Sequence, residues 1–385
     1  MLLWREANKK GVKTHYKLFC QNRDPLKELW TGKLTGPERA TKTFGADEAH
    51  DFSELNQHIQ SFYKKLPKGV GPSLFTNSLE SDEMKSQFEP ILESLDYNIR
   101  QWQLPLESIV NASTPTRKLR LVKDRGEISL MKKVSKINVA AHLELLKKIK
   151  AGMTEFQAQA LIEYEFRKRG ASGPAYGSIC ASGANATCLH YQPSMDKLKK
   201  GELFLVDAGC EMDHYTSDIT RTYPVDGKFT KAQKSIHQIV GEAHRAAIEV
   251  ATVGTRYSKI HETAVEAIAE GLRLIKLLKG NKKDIIAKEK YKQFFPHSTG
   301  HWLGMDVHDP CPYSEENGDS IKLKAGMILT VEPGIYIQEY DKTVPKNFKG
   351  IGVRIEDDIL ITEKGPEIIT EGLPRYAEET EAFMK

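Results

Sequence analysis

Three histidines, His297, His301 and His308, fall within twelve residues, and four other strand-like segments each carry an acidic residue inside an apolar run. The acids are Asp207 in Leu203-Phe-Leu-Val-Asp-Ala-Gly, Asp218 in Tyr215-Thr-Ser-Asp-Ile-Thr-Arg-Thr, Glu332 closing Met327-Ile-Leu-Thr-Val-Glu, and Glu356 in Gly352-Val-Arg-Ile-Glu-Asp-Asp. A lone buried carboxylate costs several kcal/mol, so a fold that buries four of them must supply bases or a shared cation. Singly, each residue has an ordinary reading: a turn aspartate, a strand terminator before Pro-Gly, a hydrogen-bonded histidine. As a set in the order Asp, Asp, His, Glu, Glu they fit a metal-centred hydrolytic site. Four carboxylates with one imidazole favour a hard or borderline divalent ion, Mn²⁺ first, with Co²⁺, Mg²⁺ or Zn²⁺ as other occupants.

The segments also predict how the acids meet. With a hairpin tip at Met212-Asp213, Asp207 lies opposite Asp218, their β-carbons about 4.5–5.5 Å apart. Two carboxylates that close repel unless a cation or a shared proton lies between them. A second strand pair, Met327 to Glu332 and Gly352 to Ile361, repeats the arrangement, and Arg354 and Glu356 share one face of their strand.

At 385 residues and 39% apolar content the chain can form two cores, and a break falls near residue 115. A small mixed domain over 1–112 is expected, with short alternating stretches at Tyr16 to Cys20 and Glu28 to Trp30 and a helix from Phe52 to Lys65. The segment from Asn111 to Thr116 has linker chemistry. Over 116–385, Asp124 with Glu127 opens a helix running to Ile149, Thr154 with Gln157 opens a second stopped by Gly170, and Thr230 with Gln233 opens a third. A fourth covers Ile260 to Leu278. The order of helix, Gly152 and helix is echoed by helix, Gly254 and helix, a hint of duplication.

Basic and acidic residues number 56 and 52, and both are spread along the chain, so neither nucleic acid nor membrane is an expected partner. The five scattered cysteines have no Cys-x-x-Cys pair and read as reduced thiols, which points to the cytoplasm. No stretch approaches the roughly 18 apolar residues of a spanning helix.

The motifs Val206-Asp-Ala-Gly, Ser217-Asp-Ile-Thr-Arg-Thr, Gly300-His-Trp-Leu-Gly-Met-Asp-Val-His-Asp, Thr330-Val-Glu-Pro-Gly-Ile-Tyr-Ile and Gly352-Val-Arg-Ile-Glu-Asp-Asp resemble the aminopeptidase P group of pita-bread metallopeptidases. Leu26 to Gly32 and Gly45 to Ala49 resemble the latter part of that group's N-terminal domain. The resemblance implies an α+β chain: a C-terminal pita-bread domain and a smaller α/β N-terminal domain that begins partway through its usual length at Met1. It implies two metal ions, with Asp207 on one, Asp218 and Glu356 bridging, and His301 and Glu332 completing the pair. A shared hydroxide then attacks the peptide carbonyl, with Glu332 passing the proton to the leaving nitrogen. By the same resemblance His308 donates to the oxyanion, His190 contacts the substrate backbone, His297 forms the pocket for a proline ring, and Arg354 with Tyr336 orients the ligands.

The implied substrate is a peptide with N-terminal Xaa-Pro, and a homo-oligomer is expected. Creatinase lacks this metal set, and methionine aminopeptidase lacks a comparable N-terminal domain. Prolidase, which acts on Xaa-Pro dipeptides, is the nearer alternative. Against it stands the acidic run from Glu315 to Asp319, expected to form a rim that repels a dipeptide's carboxylate. The alternative of another class is a non-catalytic pita-bread binding protein, and the intact ligand set argues against it.

Overall fold

Side-chain caps at Asp24, Asp124, Thr154, Thr230 and Asn281 start helices, and strand breaks decide where the acids sit. The computed structural model describes residues 2–8, 11–65, 73–76, 89, 93 and 108–385. Two units emerge, Met1–Thr114 and Pro115–Lys385.

In the first unit β1 (Leu2–Asn8) pairs antiparallel with β2 (Gly11–Cys20). Two helices, α1 (Pro25–Thr31) and α2 (Gly36–Phe44), then cross over to β3 (Glu48–Asp51), which lies parallel to β2. A parallel partner needs such a crossover. Glu28 to Trp30, expected as an extended stretch, is therefore helical. Asp24 caps it, accepting from the amides of Leu26 and Lys27, and Pro25 occupies the first helical position. A short turn of 3₁₀ helix, Phe52–Glu54, leads into α3 (Leu55–Lys64). Strands β4 (Ser73–Thr76) and β5 (Ser108–Asn111) pair in parallel. The expected linker is instead a helix start: Asn111 ends β5, its side chain accepts the Ser113 amide at 2.8 Å, and α4 (Ser113–Leu121) begins.

The second unit opens with α5 (Arg125–Leu146), in which Asp124 and Glu127 exchange side-chain to backbone bonds of 2.9 and 2.7 Å. It stops at Leu146, short of the expected Ile149. Helix α6 (Glu155–Lys168) follows from Thr154 with Gln157, and Gly170 turns it off at φ +93°. Then come β6 (Gly173–Pro174), β7 (Ile179–Ser182), β8 (Leu203–Asp207), β9 (Cys210–Met212), β10 (Tyr215–Thr216) and β11 (Thr220–Pro224). A sheet of order β11-β8-β7 packs on the first helix pair, with Val134, Ala141, Leu145, Ile162, Phe166, Phe204 and Val206 in its core. Burying each of the larger side chains contributes about 1.5–3 kcal/mol.

The second half repeats the plan. Helix α7 (Lys231–Glu249) starts at its Thr230–Gln233 box and packs on α8 (Tyr257–Leu274). The latter begins earlier and ends earlier than expected, because Lys276 enters the left-handed region and the amides of Leu277 and Leu278 both fold back onto the Leu272 carbonyl. After α9 (Lys282–Ala287), strands β12 (Ile328–Val331), β13 (Gly334–Ile337), β14 (Ile351–Arg354), β15 (Asp357–Thr362) and β16 (Gly365–Ile368) precede α10 (Ala377–Phe383). The duplication is visible in backbone bonds. Gly152 donates to Leu198 O and Leu198 back to Met153 O, both at 2.8 Å; Gly254 donates to Leu323 O at 2.9 Å and Leu323 back to Thr255 O at 2.8 Å.

Two strand expectations change. The hairpin tip is Asp213-His214, both at positive φ, a two-residue turn suited to strand twist. Asp207 therefore faces Thr220, not Asp218. The slip is of two residues, so Asp207 and Asp218 keep the same face. The stretch from Gly352 to Ile361 is two strands: β14 pairs with β13, β15 pairs with β12, and the break falls at Ile355-Glu356. Among the described residues no helix is long and apolar enough to cross a membrane.

Candidate metal centre and active site

Each acid of interest sits where a strand ends. Asp207 is the last residue of β8, Asp218 lies between β10 and β11, Glu332 follows β12, and Glu356 lies between β14 and β15. At such points a side chain leaves the pleat while the backbone stays anchored. The Glu356 amide donates to Thr220 O at 3.0 Å and the Glu332 amide to Thr299 O at 2.7 Å. His301 is held along β12 by reciprocal bonds with Thr330: its amide donates to Thr330 Oγ1 and its carbonyl accepts the Thr330 amide. Gly300 permits that approach, since a β-carbon there would stand 1.9 Å from Thr330 O. Gly209 does the same beside Asp207, where a β-carbon would meet Ser217 O at 1.9 Å. From α5, Asn138 and His142 both bond the Ala208 carbonyl, at 3.0 and 3.1 Å.

Asp207, Asp218, His301, Glu332 and Glu356 open onto one cavity of 1280 Å³, lined also by His190, His297, His308 and Arg354. Ligand atoms of Asp218, His301 and Glu356 lie within 4.8 Å of one another. His301 Nε2 is 3.5 Å from Asp218 Oδ2 and 3.8 Å from Glu332 Oε1, while its Nδ1 lies 3.0 Å from the Trp302 carbonyl. A proton on Nδ1 leaves Nε2 free to bind a cation.

The electrostatics are those of an unneutralised cluster. Burial, then the neighbouring acids, holds the Glu356 carboxyl well above its ordinary range. Burial raises Glu332 to about 7 against the pull of His301 and Arg354. Asp207 is also raised by burial, with Arg354 opposing and Asp218 adding to the rise. His301, although burial works against its charge, is raised to about 9 by Asp218 and Glu332. Protons thus stand where cations would stabilise the ionised groups better. Arg354 is the cation that reaches in, donating to Asp207, to Tyr336 Oη at 2.9 Å and to Thr220 Oγ1 at 3.2 Å. Four carboxylates against one guanidinium and one imidazole fit divalent ions.

Around the acids the other predicted residues take distinct places. His297 Nε2 lies 2.8 Å from Tyr336 Oη, and burial, then Arg354, lowers it to about 4, so its ring is neutral. The His308 ring stands edge-on to His301 at 4.4 Å, and burial, then the charge of His301, lowers its pKa. His190 lines the cavity without a hydrogen bond to the cluster.

Two positions escaped the sequence reading. Tyr176 Oη lies 2.5 Å from both Asp207 Oδ1 and Asp218 Oδ1. Thr220 Oγ1 donates to Glu356 Oε2 at 2.6 Å while accepting from Arg354. Tyr176 stands in a Gly-Pro-Ala-Tyr-Gly turn with no periodic signal, whereas Thr220 was legible once the hairpin register was right. The acidic rim is a correction. Glu315 to Asp319 are absent from the cavity lining, Glu316 pairs with Lys118, and Asp319 pairs with Arg256 at 2.9 Å. Tyr313 and Pro310 line the cavity instead.

Residues 129–363 match the model of metallopeptidase family M24, and residues 1–70 that of the aminopeptidase P N-terminal domain. The chain is similar to the Xaa-Pro aminopeptidase of Escherichia coli (strain K12), 36% identical over 373 residues, which are 96% of this chain and 82% of that one. Among solved structures, Pseudomonas aeruginosa aminopeptidase PepP is similar with a TM-score of 0.90 and 38% identity, over 97% of this chain and 82% of its own. A glutamate-to-alanine variant of Escherichia coli aminopeptidase P in complex with substrate gives 0.90 and 36%, over 97% and 83%.

Proposed function

The chain belongs to metallopeptidase family M24, and we propose that it is an Xaa-Pro aminopeptidase, releasing the N-terminal residue of peptides that carry proline second. One observation carries the reading: Asp207, Asp218, His301, Glu332 and Glu356 converge on one cavity with an excess of negative charge that divalent ions would neutralise. Those five residues would hold the ions, two in all. The oxygen-rich donor set favours Mn²⁺. When bound, such ions acidify water and supply a hydroxide nucleophile near neutral pH.

The remaining work falls to the chain's own groups. In this reading Glu332, at the edge of the cavity, takes a proton and returns it to the leaving nitrogen. In this reading His308 donates to the carbonyl oxygen as it gains charge and His190 holds the peptide backbone; both line the cavity. Arg354 fixes Asp207 and, through Tyr336, the neutral His297 ring, whose face would receive the pyrrolidine of the substrate. Thr220 ties Glu356 and Arg354 into one network.

With the acidic run away from the cavity, the preference for aminopeptidase over dipeptidase rests on the relatives, which are named aminopeptidases. The test is a matched series of Xaa-Pro-Yaa, Xaa-Ala-Yaa and Xaa-Pro peptides with added Mn²⁺. Cleavage before proline in the tripeptides should dominate. Equal rates with alanine in second place would sink the assignment, and faster dipeptide cleavage would make the enzyme a prolidase. Two finer parts of the reading are a cytoplasmic location and self-association. Fractionation of the source cells tests the first, and a purely monomeric boundary in sedimentation velocity at assay concentration would remove the second.

A further inference from the structure

The first unit brings His50, Glu54 and His58 together, with one ligand atom from each within 4.8 Å of the others. We propose that these three residues bind a Zn²⁺ ion that ties β3 to the first turn of α3. This inference is independent of the peptidase reading.

Local structure prepares the ligands. Glu54 reaches back through the Asp51 capping box, its Oε1 accepting the Asp51 amide at 3.2 Å, and this leaves Oε2 turned toward both imidazoles. His50 Nδ1 and His58 Nε2 each stand 3.9 Å from that same oxygen. The interval is too long for a hydrogen bond. It is close to the separation of about 3.3–3.5 Å between ligand atoms around a tetrahedral ion with bonds of about 2.0–2.1 Å. Inward shifts of these side chains, with water as the fourth ligand, would complete a tetrahedral site. Glu54 and His58 are four residues apart, the spacing that puts both on one face as the 3₁₀ turn runs into α3.

The surroundings select the protonation state a metal needs. His50 Nε2 lies 3.1 Å from Glu48 Oε2, itself held by Lys17 Nζ at 2.6 Å. With the proton on Nε2 and shared with Glu48, the Nδ1 lone pair faces Glu54. This is the carboxylate, histidine and metal arrangement that orients ligands in zinc proteins. Phe19, buried in β2, packs against the His50 ring at 5.7 Å, tilted, and against the His58 ring at 5.4 Å, edge-on, and the two imidazoles lie 4.0 Å apart. Their positions are therefore set by packing before any ion arrives.

The donor set also separates this site from the catalytic one. Two nitrogens and one carboxylate suit a borderline ion such as Zn²⁺, whereas the oxygen-rich cavity suits Mn²⁺. Full-length protein, stripped with chelator, can be dialysed against Zn²⁺ in the presence of excess Mn²⁺ and both metals counted per chain. Wild type should hold one Zn²⁺ more than His58→Gln or Glu54→Gln, with Mn²⁺ content and peptidase rate unchanged in both variants. Glu48→Gln, which alters only the outer carboxylate, should weaken zinc binding about 10–100-fold without abolishing it. His301→Ala should keep the extra zinc. Equal zinc in wild type and in both folded variants overturns the proposal. Should the variants misfold, X-ray absorption of His301→Ala protein carrying one Zn²⁺ decides: two imidazoles in the shell support the site, and none overturns it.

Discussion

Glu356 and Asp357 are neighbours in sequence and both are buried, yet their surroundings are opposite. Asp357 is fully paired: Arg221 Nη2 at 2.8 Å and Thr370 Oγ1 at 2.7 Å donate to one oxygen, Arg375 Nε at 2.6 Å donates to the other, and His244 Nε2 lies 3.2 Å from it. Burial opposes its ionisation, but Arg221 and the other partners hold its carboxyl well below the usual range. Glu356 has one hydroxyl donor, Thr220, and three acids for neighbours, and its carboxyl is driven the other way. A buried acid with its cations built in is architecture. One whose cations are missing from the side chains is a socket for something else.

That contrast can be broken most directly at Glu356. Glu356→Gln keeps the acceptor for Thr220 but removes a charge, so metal content should fall and activity drop by more than about 10³-fold, beyond the loss of a single transition-state donor. Metal-free, the variant should melt at or above the wild-type temperature. Retained activity with full metal content would end the ligand assignment. Asp357→Asn should do the reverse, leaving the ligands intact while breaking buried ion pairs at a cost of about 3–5 kcal/mol. Calorimetry should show a melting point lower by about 6–20 °C. A variant as stable as wild type would mean that Arg221 and Arg375 find other partners.

His308→Ala probes a group beside the socket that is not assigned to it. Its kcat should fall about 10²–10³-fold with metal content near wild type. A metal-free His308→Ala protein would move that residue among the ligands.

The pH dependence sharpens the same comparison. Glu332 is raised from 4.5 to about 7, so the metal-free folded state holds a proton there that the unfolded chain releases near its ordinary pKa. Its contribution to stability is present below pH 4.5 and is lost as pH rises through 7, amounting to about 3 kcal/mol. Mn²⁺ competes with that proton, so the rise in melting temperature on adding Mn²⁺ should be larger at pH 8 than at pH 5.5. An equal rise at both would contradict the raised carboxyls. The smallest effect is expected at Tyr176, which orients Asp207 and Asp218. Tyr176→Phe should weaken metal binding about 10–100-fold and recover most of kcat at saturating Mn²⁺. If excess metal fails to rescue it, the phenol takes part in turnover itself.

The sequence exposed the socket more readily than its supports. Carboxylates inside apolar strands are anomalies that burial energetics flags at once, and capping boxes at Asp124, Thr154 and Thr230 are local pairs three residues apart. Hairpin register is not local: it depended on which two residues took positive φ, and Asp213-His214 carries no glycine to announce it. The extended reading of Glu28 to Trp30 is likewise overruled by the helix start at Asp24-Pro25, a cap and proline pair written in the sequence just ahead of it. Charge along a chain does not say which side of a loop faces a cavity, and Glu316 and Asp319 turn to Lys118 and Arg256. Tyr176 had no signal short of the fold.

The strand-end placement of the ligands also has a consequence in time. A chain made from its N-terminus exposes Asp207 about 7–30 s before Glu356, at about 5–20 residues added per second. Until Glu356 is made, the nascent chain lacks one of the carboxylates assigned to share the metals, and its partial site should hold metal weakly. The strand that positions Glu332 gains its partner β15 only after Glu356 itself. With the proposed ligand set, hydrolytic competence arrives late in synthesis, and the first moment of full metal affinity coincides with closure of the sheet.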